Sequence, residues 1–366
     1  MKIGHALTIM LLIAGAARAD ELQRRSYLGV QFDLEDRTGP GLLVTAVDRD
    51  STAANAGLRP GDRLTSVGSI GTLVSYPPLR EELARTAVGT RIALRWYRNA
   101  NTVFRAAPPM GPLPAERVPG SRVRYGAVDA AGNALRLIVT EPENVDDDTR
   151  LVFFLPDAGC ESLDFWAATE NPVKRLIDGW AAAGFATVRL EKRGVGDSEG
   201  ASCAALDFTE EHLGYLAALE HLSALGYGGR VLLFGHGVGG LMASELATNA
   251  VAGIMVYGAT VDTAGDAGRS EAYAVQLAAY DPERRWRQVW QPVLALHGAY
   301  DRLAARDDQE RIARLTGGRF QSLPRLGHDL LRYDSTDDAA IACGTGTFDP
   351  SLIDATLTWI RTLAGR

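Results

Sequence analysis

Between Tyr27 and about Ala107, apolar positions alternate with polar ones in short runs, among them Leu42-Leu43-Val44-Thr45-Ala46-Val47 and Arg91-Ile92-Ala93-Leu94-Arg95-Trp96-Tyr97. A period of two over such lengths predicts strands, and the stretches 51–56 and 79–87 carry helix-like patterns between them. This part of the chain therefore predicts a small β-rich domain over residues 27–107. Pro108-Pro109-Met110-Gly111-Pro112-Leu113-Pro114 follows. Proline fixes φ and removes amide donors, so a spacer without regular structure is expected over 108–120.

From residue 121 to the end the pattern changes. Compact apolar runs at 151–155, 186–190, 231–234, 253–257 and 293–296 alternate with longer helical patterns at 172–183, 209–225, 241–248, 308–315 and 351–363. Strands that alternate with helices predict a mostly parallel, doubly wound sheet with helices on both faces. A stretch at 261–291, containing Trp286 and Trp290, interrupts the alternation and reads as a short cap insertion whose tryptophans pack.

The chain has 366 residues, 46% hydrophobic and 23% charged, which suits two soluble globular domains. Its net charge of −7 has no basic tract, which argues against nucleic acid as a partner. At the N-terminus, Lys2, an apolar run from Ala6 to Ala17 and the small-x-small triplet Ala17-Arg18-Ala19 together predict a signal peptide over residues 1–19. Its apolar run is too short for a membrane span. Cleavage would delete two cations, Lys2 and Arg18, and no acid, leaving −9. The expected product is exported, periplasmic or secreted, with no membrane span. No metal or nucleotide signature occurs, so no cofactor is expected.

Two motifs in the first part carry a family resemblance. Tyr27-Leu28-Gly29-Val30 looks like a carboxylate-binding loop, and Ala53-Ala54-Asn55-Ala56-Gly57-Leu58-Arg59-Pro60-Gly61-Asp62 looks like an Ala-Gly-Leu-x-x-Gly-Asp turn. Both resemble the PDZ domains of bacterial envelope proteases. The resemblance implies capture of a peptide or protein C-terminus by Leu28, Gly29 and Val30, with Leu79 and Leu83 lining the groove.

The second part resembles the α/β-hydrolase fold. Val231-Leu232-Leu233-Phe234 leads into Gly235-His236-Gly237-Val238-Gly239-Gly240, which has the small residues of a Gly-x-Ser-x-Gly nucleophile elbow but glycine in place of serine. Arg193-Gly194-Val195-Gly196-Asp197-Ser198 matches a loop common after a strand of that fold. His297-Gly298-Ala299-Tyr300-Asp301 and Leu326-Gly327-His328 follow in family order. The resemblance implies Asp301 as acid, with Asp262 as the alternative, and His328 as base. Ala158, in Pro156-Asp157-Ala158-Gly159-Cys160, and Val238 are the implied oxyanion donors. The overall plan is that of an exported PDZ–hydrolase fusion.

Without an Oγ at Gly237 the serine-ester route is closed. The leading expectation is a pseudohydrolase with a binding or regulatory role, docked through its PDZ domain, whose pocket holds a small acyl or ester ligand. The alternative is an active ester hydrolase in which His328 and Asp301 activate water, or in which Cys160, Ser162 or Ser198 substitutes as nucleophile. Since every flanking elbow residue is present, Gly237→Ser alone is expected to create esterase activity. Of the three cysteines, Cys160 and Cys203 fall after neighbouring strands at carboxyl ends, so a Cys160–Cys203 disulfide is expected, with Cys343 unpaired.

Overall fold

The computed structural model describes residues 22–99, 102–146, 148–260, 269–341 and 343–363. The expected signal peptide and Asp262 lie outside the described residues. Two compact units divide the chain, Gln23–Ala115 and a second beginning at Glu116.

The first unit runs β1 (Ser26–Tyr27), β2 (Val30–Asp33), β3 (Leu42–Val47), α1 (Thr52–Ala56), β4 (Arg63–Val67), α2 (Tyr76–Arg85), β5 (Leu94–Arg98), β6 (Thr102–Ala106) and β7 (Gly111–Pro112). β2 to β6 form an antiparallel sheet in chain order, which leaves β2 on an edge. Leu28, Val44, Leu64, Leu79 and Trp96 fill its core. Ser51 starts α1 by accepting the Ala54 amide, which satisfies one of the donors a helix N-terminus leaves unpaired.

The proline-rich passage differs from the expected spacer. Met110 is buried and donates to Thr90 O at 2.8 Å, Pro108 O accepts from Ile92, and β7 pairs antiparallel with β1. The prolines lack donors, but Met110, Gly111 and Leu113 between them supply amides to Thr90 O, Thr52 Oγ1 and Arg25 O. The segment thereby closes the first unit.

The second unit opens with a hairpin, β8 (Ser121–Ala130) and β9 (Asn133–Pro142), absent from the sequence-based expectation. Ala131 and Gly132 form its two-residue turn with φ of 52° and 80°, the left-handed pair that matches strand twist. There follow β10 (Leu151–Leu155), α3 (Pro172–Ala182), β11 (Ala186–Leu190), α4 (Phe208–Leu222), β12 (Val231–His236), α5 (Val238–Glu245) and β13 (Val251–Tyr257). Then come α6 (Glu271–Ala279), α7 (Pro282–Trp286), β14 (Val293–Gly298), α8 (Arg306–Thr316) and β15 (Arg319–Leu323). The last elements are β16 (Leu331–Arg332), α9 (Thr336–Ile341), β17 (Thr347–Phe348) and α10 (Ser351–Leu363).

Eight strands form one sheet in the order β15-β14-β13-β12-β10-β11-β9-β8, parallel from β15 to β11 and antiparallel at the β9 and β8 edge. β10 and β11 are buried on both faces; β10 is a continuous apolar run, whereas β11 also buries Thr187 and the ion-paired Arg189. One face packs against α4 through α8, the other against α3 and α10. Of the two cap tryptophans, Trp286 is fully buried in the first of these cores and Trp290 is exposed. No helix among the described residues is long and apolar enough to cross a membrane.

One ion pair anchors the start of this unit. Glu116 Oε2 accepts from Arg189 Nη1 at 2.8 Å, both side chains being fully buried, and Lys174 lies 3.7 Å from Oε1. Arg189 also donates to Leu163 O and Thr140 Oγ1. Removing one member of a buried pair strands the other charge, so Glu116→Ala is expected to cost about 3–5 kcal/mol in urea unfolding, whereas a loss under about 1 kcal/mol would mean that Arg189 is satisfied without it.

Candidate functional site

β12 ends at His236 and α5 starts at Val238, with Gly237 between them at φ 53° and ψ −121°. That backbone is of the kind a nucleophile elbow requires, a sharp strand-to-helix turn, held here by a residue with no Cβ penalty. The small neighbours are needed for close approach: a Cβ on Gly239 would lie 2.1 Å from Leu155 O.

The space above Gly237 is taken by a residue from another element. β10 delivers Pro156 and Asp157 to the carboxyl edge of the sheet, and the Asp157 carboxylate sits 2.2 Å from where a Gly237 Cβ would be. Asp157 Oδ1 accepts the Val238 amide at 2.8 Å, and Oδ2 lies 3.1 Å from His328 Nε2. The amide expected to serve as an oxyanion donor is therefore already bound to a carboxylate.

His328 and Asp301 come together. Nδ1 of His328 is 2.9 Å from Asp301 Oδ2, and Asp301 Oδ1 accepts the amides of Leu303 and Ala304 at 2.9 Å each. The acid turn is tied to the histidine loop through Tyr300 N to Leu326 O, and Tyr257 Oη donates to Gly327 O. His328 thus lies between two carboxylates, with Asp301 fully buried and Asp157 still 37% exposed. Burial pulls the His328 pKa down, but the hydrogen bonds and charges of Asp157 and Asp301 outweigh it and push it up to about 10. Burial opposes ionisation of Asp157, yet the hydrogen bond from His328, the positive fields of His236 and His328 and the Val238 amide hold it well below the usual carboxylate range. Burial and the neighbouring His328 lower the pKa of His236, whose Nε2 donates to His328 O at 2.8 Å.

The loop that carries Asp157 is clamped. Lys192 Nζ donates to Asp157 O at 2.7 Å and Gly159 O at 2.8 Å and pairs with Glu211 at 2.9 Å. Arg269 donates to Ala158 O at 2.6 Å and to Glu211 Oε2 at 2.7 Å. Cys160 is joined to Cys203 by a disulfide with Cα atoms 5.8 Å apart. Ala158, expected as an oxyanion donor, is buried in this clamp.

None of the expected substitute nucleophiles stands at the elbow. Cys160 has no free thiol. Ser198 Oγ is buried, accepting from Arg136 N and donating to Glu191 O, and Ser162 Oγ donates to Glu191 Oε1. Cys343 is exposed and unpaired. Asp157 is the residue that motif reading missed. Its signal was a carboxylate two residues past a central strand in a chain with glycine at the elbow position.

In the first unit, Gly29 has φ 76°, and a Cβ there would meet Ser51 Cβ at 2.1 Å. Leu28 is buried, while Val30 on β2 and Leu83 on α2 are half-buried beside the free β2 edge. Leu79 is fully buried in the core of this unit.

Residues 26–104 match the family model for the PDZ domain. No curated protein matches the chain. Among solved structures, Est1E from Butyrivibrio proteoclasticus with ferulic acid bound aligns at TM-score 0.53 and 14% identity, over 66% of this chain and 99% of that one. DcsB in complex with its substrate analogue aligns at TM-score 0.51 and 14% identity, over 67% and 100%. At this identity the likeness shows the fold alone, and the chain combines a PDZ domain with an α/β-hydrolase-like fold.

The His328 geometry sets a pH dependence. Its folded pKa lies above the unfolded value of about 6.5, so its contribution to stability is complete below that pH and is lost as pH rises toward about 10. Because Asp301 still raises His328 in Asp157→Asn, the stability advantage of the wild type over that variant is expected to stay flat from about pH 5 to above 6.5, and to shrink by up to about 1.4 kcal/mol per pH unit only between the pKa that Asp301 alone sustains and about 10. Urea melts across this range measure it, and a pH-independent difference would contradict the protonated His328.

Proposed function

We propose that this is an exported pseudohydrolase: a PDZ domain docks the C-terminus of an envelope or extracellular protein, and the hydrolase-like unit is a closed, non-hydrolytic module with a binding or regulatory role. The observation that carries the proposal is the Asp157 carboxylate, which occupies the nucleophile's position while engaging both Val238 N and His328 Nε2. Three requirements of ester hydrolysis are lost together. There is no Oγ, one oxyanion amide is occupied, and the base is protonated.

The last loss weighs against the water-activating alternative. With its pKa pushed up to about 10 by Asp157 and Asp301, His328 is held in its protonated form at pH 7. A general base works best with a pKa near the operating pH. A substitute nucleophile is disfavoured as well, since Cys160, Ser162 and Ser198 are all engaged away from His328. Export is supported by residues 1–19 and by the Cys160–Cys203 disulfide, a bond at home in oxidising compartments. N-terminal sequencing of the periplasmic or secreted product, expected to begin at Asp20, tests this part.

The serine repair needs revision in the light of Asp157. Gly237→Ser alone places its Cβ against the Asp157 carboxylate and leaves the Val238 amide occupied, so the single variant is expected to stay at background on short p-nitrophenyl esters. Asp157→Gly/Gly237→Ser clears both obstacles and is expected to raise hydrolysis by about a hundredfold or more, in a manner abolished by His328→Ala. Wild-type turnover that disappears with His328→Ala would overturn the pseudohydrolase reading.

A further inference from the structure

The second unit holds a cavity of about 570 Å³ between the β8 edge of its sheet and the end of α4. Arg230, on the cavity wall, immediately precedes β12, and Gly237 follows the last residue of that strand. Six residues of strand therefore separate the cavity from the elbow, about 20 Å at the usual rise. The cavity lies at the amino ends of the parallel strands and shares no residue with the site around Asp157.

An irregular helix end builds one wall. α4 gives way to a wider π turn over Ser223–Tyr227, which reverses at Gly226 with φ of 94°, a conformation that favours glycine. Such turns recur at functional sites. Arg230 fixes this one, its Nη2 donating to Gly226 O at 2.6 Å and its Nη1 to Thr149 O at 3.0 Å. The turn sets the buried Tyr227 into the wall and leaves Leu225 at the rim. Leu137 and Val139 of β9 are buried beneath, whereas Val145 and Leu225 are 42% and 56% exposed. A buried apolar floor with exposed apolar side chains around it is a surface that an apolar body covers.

The charged groups differ in what they have left to offer. Glu141 is nearly buried, and its Oε1 accepts from both Arg124 Nη2 and Tyr227 Oη. Asp146 Oδ1 accepts the Asp148 amide and the Thr149 hydroxyl of its own turn. Both acids are thus engaged within the protein. Arg124 is 54% exposed and gives one guanidinium N–H to Glu141, which leaves further donors at the cavity mouth. His221, in the last turn of α4, adds a ring nitrogen to the same lining.

We propose that this cavity binds a small amphipathic carboxylate, of which a medium-chain fatty acid anion is the simplest. The chain lies on Leu137, Val139 and Tyr227, and the carboxylate pairs with Arg124, whose planar fork suits it. The inference stands apart from the reading of the elbow and from the docking role of the PDZ domain.

Isothermal titration of decanoate into the full chain tests it, with decyltrimethylammonium as a probe of equal chain length and opposite charge. Decanoate is expected to bind with a Kd of about 100 μM or tighter, and the ammonium at least about tenfold more weakly. Leu225→Asp changes an exposed position, sets an acid at the rim and is expected to weaken decanoate binding at least about tenfold. Arg124→Gln keeps a donor for Glu141 and is expected to abolish the preference for the anion; should it unfold the protein, Leu225→Asp decides alone. Absence of decanoate binding, equal binding of the two probes, or decanoate binding that Leu225→Asp leaves unchanged would overturn the proposal, the last by placing the ligand elsewhere on the protein.

Discussion

A carboxylate and a serine side chain cannot occupy the same elbow. The Asp157 carboxylate lies 2.2 Å from the position a Gly237 Cβ would take, inside any contact distance, so the two positions are coupled: a side chain on one requires its withdrawal from the other. Around this exclusion the rest of the site falls into place. Asp157 takes the Val238 amide that would have faced an oxyanion and the His328 Nε2 that would have faced a hydroxyl. It thereby satisfies, from within the chain, groups that a serine hydrolase leaves poised for substrate.

Holding that carboxylate in place is a task shared by several elements. Glu211 on α4 receives Lys192 and Arg269, and these two cations between them hold the carbonyls of Asp157, Ala158 and Gly159. Burying a lysine is costly, which is why burial lowers the Lys192 pKa even beside Glu211. The cost is offset because every Lys192 donor finds an acceptor, two of them in the loop itself. Taken with His328, Asp157 and Asp301, the cluster sets three cations against three anions, and a balanced cluster can stay charged in the interior where an unpaired charge cannot. The disulfide at Cys160 then limits how far the loop can move if one of these contacts breaks.

Much of the scaffold was legible in the sequence, and the reason is periodicity. The short apolar run 151–155 coincides with a parallel strand buried on both faces, and the final helix runs Ser351–Leu363 as its pattern predicts. The hairpin Ser121–Pro142 was less legible, because β8 mixes arginines into its alternation and its turn, Ala131-Gly132, lacks the Asn-Gly signature. The proline-rich segment misled because missing donors on prolines say nothing about the amides between them. At the site, the positions of Gly237, Asp301 and His328 follow from chain order, but the role of Asp157 does not. A motif describes what stands at its own positions, whereas Asp157 reaches the elbow across the β10–β12 pairing, from a residue 80 positions upstream of Gly237.

The turn at Gly237 is kept by packing and needs no side chain of its own. In a catalytic elbow the strained backbone costs on the order of 1–3 kcal/mol and is tolerated for the exposure it gives the side chain. With glycine there the same φ of 53° carries no Cβ penalty, while the tight crossing of β12 and α5 continues to need it. Packing alone therefore maintains the turn, since a Cβ on Gly235 would meet Gly239 O at 2.4 Å and one on Gly240 would meet Ala259 Cβ at the same distance. Val238, the first residue of α5, still points its amide at the former site, and that unpaired donor at a buried helix start requires an acceptor. Asp157 is the acceptor. Glycine at 237 and the carboxylate of Asp157 thus fit one another: the first leaves the space open and the second satisfies the amide that the helix start presents to it.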